Sequence, residues 1–550
     1  MKQATLETII GYLEEIEELL KLAGENPFKI RAFQKAITTL GTYSASELGE
    51  RANTGTLTEL DGIGKGIAEV LTEFLVQHKT SARDDLKKKL PPGLIELTQI
   101  PGLGPKKALQ LIEGLEIHSL RELEYACREN RLLHLKGFGE KQQSKILDGI
   151  LFLQSTAGKS QLGEILDPAL LVESQLQKEF PTHTLALTGE IRRRLEIIQK
   201  AELLVSGGNS DTHQAIEARA HELWREQAIS IPLVVHWSEP QAFGTHLLET
   251  TGSIAHLQAL DSLRHPLPKV ADEKEIYVSL NLPWIAPEMR ETGEEISLAQ
   301  AHRLPSPLQV AELRGFFHCH TTRSDGTASL EEMAAEAQRQ GFEYFGVSDH
   351  SQSAFYAQGL KPDDVDAQKK ELQKVRKQFP ALRIFWGIES DILADGSLDY
   401  DKSTLDDFDF IIASIHSRFK MDRDEMTARI VRAIRNPATR FLGHSTGRLL
   451  LGREAYALDM ERIIEEAAEH DVAIEINAHP ARLDIDWRWG KKLRECGTRV
   501  CINPDAHSLQ GIRDVRFGVH VANKALLPRE LILNLLSAEE MSHWLLKRKD

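Results

Sequence analysis

The chain has 550 residues, 41% of them hydrophobic and 27% charged, a balance that excludes a largely disordered polypeptide and suggests roughly three or four domains. Its 67 Lys and Arg against 82 Asp and Glu leave a net charge of −15, which excludes a histone-like polycation but not a nucleic-acid binder with local basic patches. Four cysteines (Cys127, Cys319, Cys496 and Cys501) at irregular spacings exclude a disulfide framework and a cysteine-built zinc module.

The first 150 residues carry 20 basic and 22 acidic side chains, so most of the negative excess lies further on. Leu6, Ile9, Ile10, Leu13, Ile16 and Leu20 form one helical stripe, and the glutamates between them do not suit a signal peptide. No apolar run approaches the roughly 18 residues of a membrane span, so a soluble, cytoplasmic protein without a membrane partner is expected. Residues 1–90 and 91–150 both read as helical. Three related elements punctuate them: Leu60-Asp61-Gly62-Ile63-Gly64-Lys65, Ile100-Pro101-Gly102-Leu103-Gly104-Pro105-Lys106 and Leu135-Lys136-Gly137-Phe138-Gly139-Glu140-Lys141.

In each element an apolar helix end leads into Gly-apolar-Gly and then a lysine at the start of the next helix. Glycine allows the tight turn, and the amides of the following helix face an anion. The lysine adds charge without reading a base, so the ligand implied is a nucleic-acid backbone. One copy would read as well as a glycine-capped connection between helices; three copies between residues 60 and 141 favour backbone contact by Gly62, Gly64, Lys65, Gly102, Gly104, Lys106, Gly137, Gly139 and Lys141. A dinucleotide fold is excluded, because Gly62, Gly64 and Gly66 lack the G-x-G-x-x-G spacing and no strand precedes them. Gly158-Lys159-Ser160 is not a P-loop, since Leu153 stands where the earlier glycine is required.

Residues 151–290 mix short strands (Leu185–Leu187, Ala201–Val205, 231–236) with helices, an α+β pattern, and residues 291–314, with Pro305 and Pro307, read as a linker. The hairpins resemble the helix-hairpin-helix motifs of family X DNA polymerases. Asn26-Pro27-Phe28-Lys29-Ile30-Arg31-Ala32-Phe33 is similar to the opening of that family's small N-terminal domain. Phe243-Gly244 and Thr251-Gly252-Ser253 resemble its later palm motif, and the segment from Glu275-Ile276-Tyr277 to Met289-Arg290 resembles the thumb end of bacterial members. The resemblance spans the first 290 residues and implies a palm and thumb of polymerase-β type.

Nucleotidyl transfer by two metal ions needs converging carboxylates. The family pattern is Gly-Ser-x-Arg-Arg, then Asp-x-Asp on a strand, then a third Asp on its neighbour. Here Gly189-Glu190-Ile191-Arg192-Arg193 is followed by Lys200-Ala201-Glu202, and Pro232 falls where the third acid is expected. One acid of three remains, Glu202, and the Lys200 ammonium would repel a metal. The palm is therefore expected to be degenerate, unless Asp211 or Glu239 serves in a shifted register.

From Gly315 onward, strands alternate with amphipathic helices in the manner of a β/α barrel (315–550). Phe317-His318-Cys319-His320 is an apolar strand end in which alternation puts both imidazoles on one face. Asp325 follows. His350, Glu389, His416, His444 and the pair Asp505/His507 then fall at or just after predicted strand ends, the place where barrel residues converge. Ten of the chain's 21 histidines lie in residues 315–550, so enrichment carries no weight and placement decides. Imidazole and carboxylate without thiolate suit zinc, manganese or iron, and Glu389 could bridge two ions.

Order and spacing are similar to the PHP (polymerase and histidinol phosphatase) domain of bacterial family X polymerases. That resemblance implies a distorted β/α barrel with nine metal ligands: His318, His320, Asp325, His350, Glu389, His416, His444, Asp505 and His507. Gly447-Arg448-Leu449-Leu450-Leu451-Gly452-Arg453-Glu454 and Glu475-Ile476-Asn477 match the family's tails as well. His479 stands where the family commonly has Asn and is expected at most to support the ligands, while Cys319 should face the core.

The resemblance implies two or three divalent ions, zinc or manganese with magnesium as an alternative, and Glu389, Asp325 and Asp505 as catalytic acids. The reading is a bacterial, nucleoid-associated, monomeric DNA-repair hydrolase acting on gapped, recessed or single-stranded ends. Its activity would be that of a 3′–5′ exonuclease, with abasic-site endonuclease or 3′-phosphatase action as variants. The competing readings are a working gap-filling polymerase with an editing nuclease and a non-catalytic DNA-end scaffold.

Overall fold

The computed structural model describes residues 6–77 and 79–547, and its contacts fall into two compact units, Met1–Ala157 and Gly158–Asp550. The first unit is helical from Leu6–Leu22 to Glu140–Thr156. The opening stripe is buried along Ile9, Leu13, Ile16 and Leu20, and one core continues from it through Leu71, Leu97 and Leu111 to Ile150. No helix among the described residues is long and apolar enough to cross a membrane.

The second unit begins with a mixed α/β layer. Strands β1 (Thr184–Thr188), β2 (Ala201–Ser206) and β3 (Leu233–Ser238) form a sheet in that order, β1 antiparallel and β3 parallel to β2. The central strand β2 is buried along its whole length, as expected of a strand covered on both faces. Helices Leu162–Glu179 and Ser210–Glu226 pack on each other and on the sheet. A second small core gathers Leu248, Leu260, Ile276 and Tyr277 from the helices between Phe243 and Ser279.

The rest is a barrel. Seven parallel strands follow in chain order around it: β4 (Gly315–Phe316), β5 (Tyr344–Val347), β6 (Arg383–Asp391), β7 (Phe410–Ser414), β8 (Thr439–Leu442), β9 (Ala473–Asn477) and β10 (Val500–Asn503). A helix covers each crossover, from Leu330–Arg339 to Gly490–Cys496. Just past β4 and β10 the ring closes: Ala506 donates to the His318 carbonyl (3.2 Å) and accepts from His320 N–H (2.9 Å).

The barrel interior is layered. At the bottom, Phe317, Tyr344, Phe385, Phe410, Phe441 and Cys501 pack against Met541, Trp544 and Leu545 of the helix Ala538–Leu546. Above them the strands carry Gly346, Gly387 and Gly443. A Cβ at Gly346 or Gly387 would run into the Phe410 ring, so only glycine leaves room for it. The next inward residues toward the C-terminal mouth are polar: Glu389 on β6, Glu475 and Asn477 on β9, and Asn503 on β10. Two to four residues along the same strands thus convert an aromatic plug into a charged mouth.

Candidate metal centre

All nine expected ligands converge at that mouth. Their donor atoms form overlapping groups, each within 4.8 Å: His320, Asp325, His350 and His507; His318, His320 and Asp505; His318, Glu389 and His444; and His350, Glu389 and His416. Glu389 lies at the centre. Its Oε1 is 2.9 Å from His444 Nε2 and 3.3 Å from both His318 Nε2 and His416 Nε2. Its Oε2 is 3.0 Å from His350 Nδ1 and 3.6 Å from His320 Nε2. Asp505 Oδ1 stands 3.2 Å from His320 Nε2, and Asp325 closes the far side, 3.4 Å from His507 Nε2 and 3.6 Å from His350 Nε2.

The His318/His320 pair does share a face, but plain strand alternation is not the cause. His318 has φ +58°, so Phe317 and His318 both turn inward while Phe316 and Cys319 join the core outside the strands. The Cys319 thiol donates to the Gly346 carbonyl, away from the ligands. His444 (φ +22°) and Asp505 (φ +51°) also hold left-handed backbone. Such conformations cost roughly 1–3 kcal/mol each in non-glycine residues and persist where surrounding structure overdetermines them.

Three further carboxylates hold the expected ligands in place; the sequence offered only Glu475, inside the matching Glu475-Ile476-Asn477, and gave it no role. Glu475 accepts from His318 Nδ1 (2.5 Å) and from the backbone N–H of His444 (3.0 Å), and Asn477 and Asn503 donate to it. Asp391 takes His416 Nδ1 (2.6 Å). Asp349 is fully buried and accepts from Thr321, Ser324 and Gln368, which fixes the turn that carries Asp325. Carboxylates in this position orient an imidazole so that its other nitrogen offers a lone pair inward. Their signal in the sequence is weak, because each sits inside an apolar strand or next to a stronger ligand. His479 accepts from the Ala481 N–H through Nδ1 and joins none of the groups.

The electrostatics are those of a cation site. Burial opposes charge on every member, yet the imidazoles of His318, His416 and His350 hold Glu389, and those of His318, His320 and His507 hold Asp505, well below the usual carboxylate range. Burial, with His350 and His507 beside it, pushes His320 down to about 3. His318 Nε2, both ring nitrogens of His320, His350 Nδ1 and His444 Nδ1 are buried without a hydrogen-bond partner. An orphaned buried nitrogen is expensive unless something accepts its lone pair. Divalent cations fit this donor set.

The palm is different. Glu202 is buried and its Oε1 is taken by Lys200 Nζ (2.9 Å) and His236 Nε2 (3.0 Å). The register sets Val234 beside Glu202, while Pro232 gives its carbonyl to Ala201 N–H. Glu239 follows Ser238, the partner of Ser206, so it lies at the other end of the sheet, and Asp211 follows β2 at that same end. Arg192 and Arg193 of the Gly-Glu-Ile-Arg-Arg segment are bound to Glu273 and Glu291.

The three hairpins share one backbone. Gly62, Gly102 and Gly137 are left-handed (φ +76°, +81° and +94°), while Ile63, Leu103 and Phe138 are buried beneath them. Gly64, Gly104 and Gly139 cap the next helix with no side-chain hydrogen bond, which leaves its first amides facing out, and Lys65, Lys106 and Lys141 are exposed beside them.

A parallel barrel whose mouth is walled by histidine and carboxylate defines the metal-dependent PHP class, and the PHP domain model matches residues 317–479. Models of a helix-hairpin-helix domain and of a SAM-like helix-hairpin-helix tandem match residues 7–80 and 94–150. The chain belongs to the PolX family: it is 31% identical to the DNA polymerase/3'-5' exonuclease PolX of Bacillus subtilis over 98% of its own length and 99% of that protein. A probable phosphatase of Caldicellulosiruptor saccharolyticus is 28% identical over 40% of this chain and 90% of its own, and probable phosphatase TTE1963 of Caldanaerobacter subterraneus is 26% identical over 42% and 91%. The PHP match ends at 479; β10 adds Asp505 and His507 to the mouth.

Proposed function

We propose that the barrel is a metal-dependent phosphoesterase that shortens DNA strands from the 3′ end, and that the palm no longer adds nucleotides. The observation that carries the first part is the convergence of nine ligands with buried, unpartnered imidazole nitrogens. Divalent ions there would supply positive charge for the phosphoryl oxygens and make water acidic enough to attack at neutral pH. The chain's own residues do the holding. Glu389 offers one oxygen to the His318/His444/His416 side and the other to the His350 side, which lets it join two ions. Glu475 and Asp391 keep the protons of His318 and His416 on Nδ1, leaving Nε2 for a metal. Arg482 Nε, 3.6 Å from Asp505 Oδ2, adds a fixed cation at the rim where a phosphate anion would arrive.

The exonuclease named in Bacillus subtilis PolX and the phosphatases similar to the barrel alone agree on phosphate-ester chemistry. The latter favour, as a second reading, removal of a 3′-terminal phosphate. The hairpins' outward amides and lysines suit a DNA backbone held without regard to sequence. Against polymerisation stand the Lys200–Glu202–His236 contacts, and Pro232 and Val234 in place of any acid beside Glu202 on the neighbouring segment.

The full-length protein with manganese or zinc, given a recessed duplex labelled at the 5′ end, should produce a ladder of shortened strands that a chelator abolishes. Adding the four deoxynucleotides to a gapped primer should give no extension. An unshortened strand in every metal tested would refute the hydrolase, and metal-dependent extension would refute the loss of polymerase activity.

A further inference from the structure

Aromatic side chains in the barrel are almost all buried: Phe316, Phe317, Phe345, Phe408, Phe410 and Phe441 are each 0% exposed. Two neighbours break this rule. Phe355 is 86% exposed and Tyr356 59% exposed, side by side on a short 3-10 turn, Phe355–Ala357, in the loop after β5. Burying a ring of this size contributes about 1.5–3 kcal/mol, so two outward rings forgo that gain and core packing does not account for their placement.

The loop is not loose. Its neck is pinned where Ser351 N–H donates to the Glu389 carbonyl (3.0 Å) and Leu360 N–H to the His350 carbonyl (2.8 Å). Ser353 N–H donates to Asp399 (2.6 Å), and the Tyr400 hydroxyl donates to the Leu360 carbonyl. Ala354, Ala357 and Leu360 are buried as its roots. The rings are therefore presented outward by an anchored turn.

They are also presented at the metal centre. The Tyr356 ring centroid lies 6.2 Å from those of both His350 and His416, two of the ligands, and 6.2 Å from that of Phe355. A tyrosine side chain is an uncharged phenol at neutral pH. A flat, uncharged surface beside a phosphate-ester site matches one part of a nucleotide, its base, because every base has a face that stacks on an aromatic ring.

We infer that Phe355 and Tyr356 form a ledge on which the terminal base of a DNA single strand stacks while its phosphodiester lies over the ligands. The ledge rests on the phosphoesterase reading for its purpose, though stacking can be measured without chemistry. It supplies what the hairpins lack: they hold a backbone, and the ledge holds an unpaired end. A stacked base has no preferred hydrogen-bonding edge, so the site should accept all four bases and discriminate against an end that has none.

The test uses the full-length protein and an oligonucleotide with 2-aminopurine at its 3′ end. Binding should quench the fluorophore; the double variant Phe355→Ala/Tyr356→Ala should lose the quench, and Tyr356→Phe should keep it. In the hydrolysis assay the double variant should raise KM for base-bearing ends roughly tenfold or more, with kcat little changed and metal content equal to wild type. For an oligonucleotide ending in a base-free tetrahydrofuran residue, wild type and double variant should share one KM. Equal quenching in wild type and double variant, or one wild-type KM for base-bearing and base-free ends, overturns the ledge. Quenching without hydrolysis in any metal leaves the ledge standing and overturns the phosphoesterase; hydrolysis without quenching does the reverse.

Discussion

Two carboxylates in this chain, Glu202 in the palm and Glu389 in the barrel, meet nitrogen groups at nearly the same distances and do opposite things. Glu202 is balanced within the protein: the Lys200 ammonium and His236 take its oxygen, and nothing around it asks for a further ion. Glu389 faces five imidazoles with two more acids close behind, and several of those imidazole nitrogens have no partner. A lysine brings its own charge, so a carboxylate paired with it is finished. Imidazoles bring lone pairs, so a carboxylate among them is an unfinished coordination sphere. The identity of the nitrogen, more than its distance, separates a carboxylate already paired from one set among donors for a cation.

The strongest way to break that contrast is Glu389→Gln, which keeps size and removes the charge shared by two ligand groups. Metal content by elemental analysis and strand shortening should both fall, by more than the roughly 10- to 100-fold typical of supporting residues. Full metal and full activity in this variant would collapse the contrast.

Acid should next expose how the palm and thumb balance their own charges. Burial works against the Glu273 charge, but Arg192 and Arg290 outweigh it and hold the carboxyl at about 2. The folded value is depressed, so this stabilisation is complete above the ordinary value near 4.5 and is lost as pH falls from there through 2. It amounts to about 3 kcal/mol, and thermal unfolding across that range should show a steeper acid loss in wild type than in Glu273→Gln.

Glu475→Gln should lower metal affinity by roughly 10- to 100-fold while leaving the nine ligands in place, read by competition with a chromophoric chelator. The smallest effect sharpens the contrast from the other side. Glu202→Ala should leave strand shortening unchanged; a loss of it in this variant would mean that the palm takes part in the reaction.

The convergence of the nine side chains was legible because they fall where apolar runs stop, and β/α barrels gather such positions at one mouth. The hairpins were legible because a left-handed turn calls for glycine, and Gly62, Gly102 and Gly137 occupy just those turns. Glu475, Asp391 and Asp349 were not. Each is defined by a partner far along the chain, as Glu475 is by His318 across 157 positions, and a strand-embedded acid gives no local sign of it. The left-handed backbone at His318 was hidden too, since His-x-His reads as ordinary alternation. In the palm the losses at 200 and 232 could be read, but not that His236 and Val234 would be the neighbours that replace them, because the register between β2 and β3 decides that.

The aromatic layer fills the barrel's base, so among the described residues the ligand cluster opens at the mouth. Arg440 of β8 lies beneath Trp544, its Cζ 3.9 Å from the ring centroid, and the C-terminal helix seals what Phe317, Phe410 and Phe441 have already filled. On the proposed reading, a strand that enters by the mouth would not thread through the filled base, and what is cut from it would leave by the way it came. Departure and advance therefore take turns at one threshold.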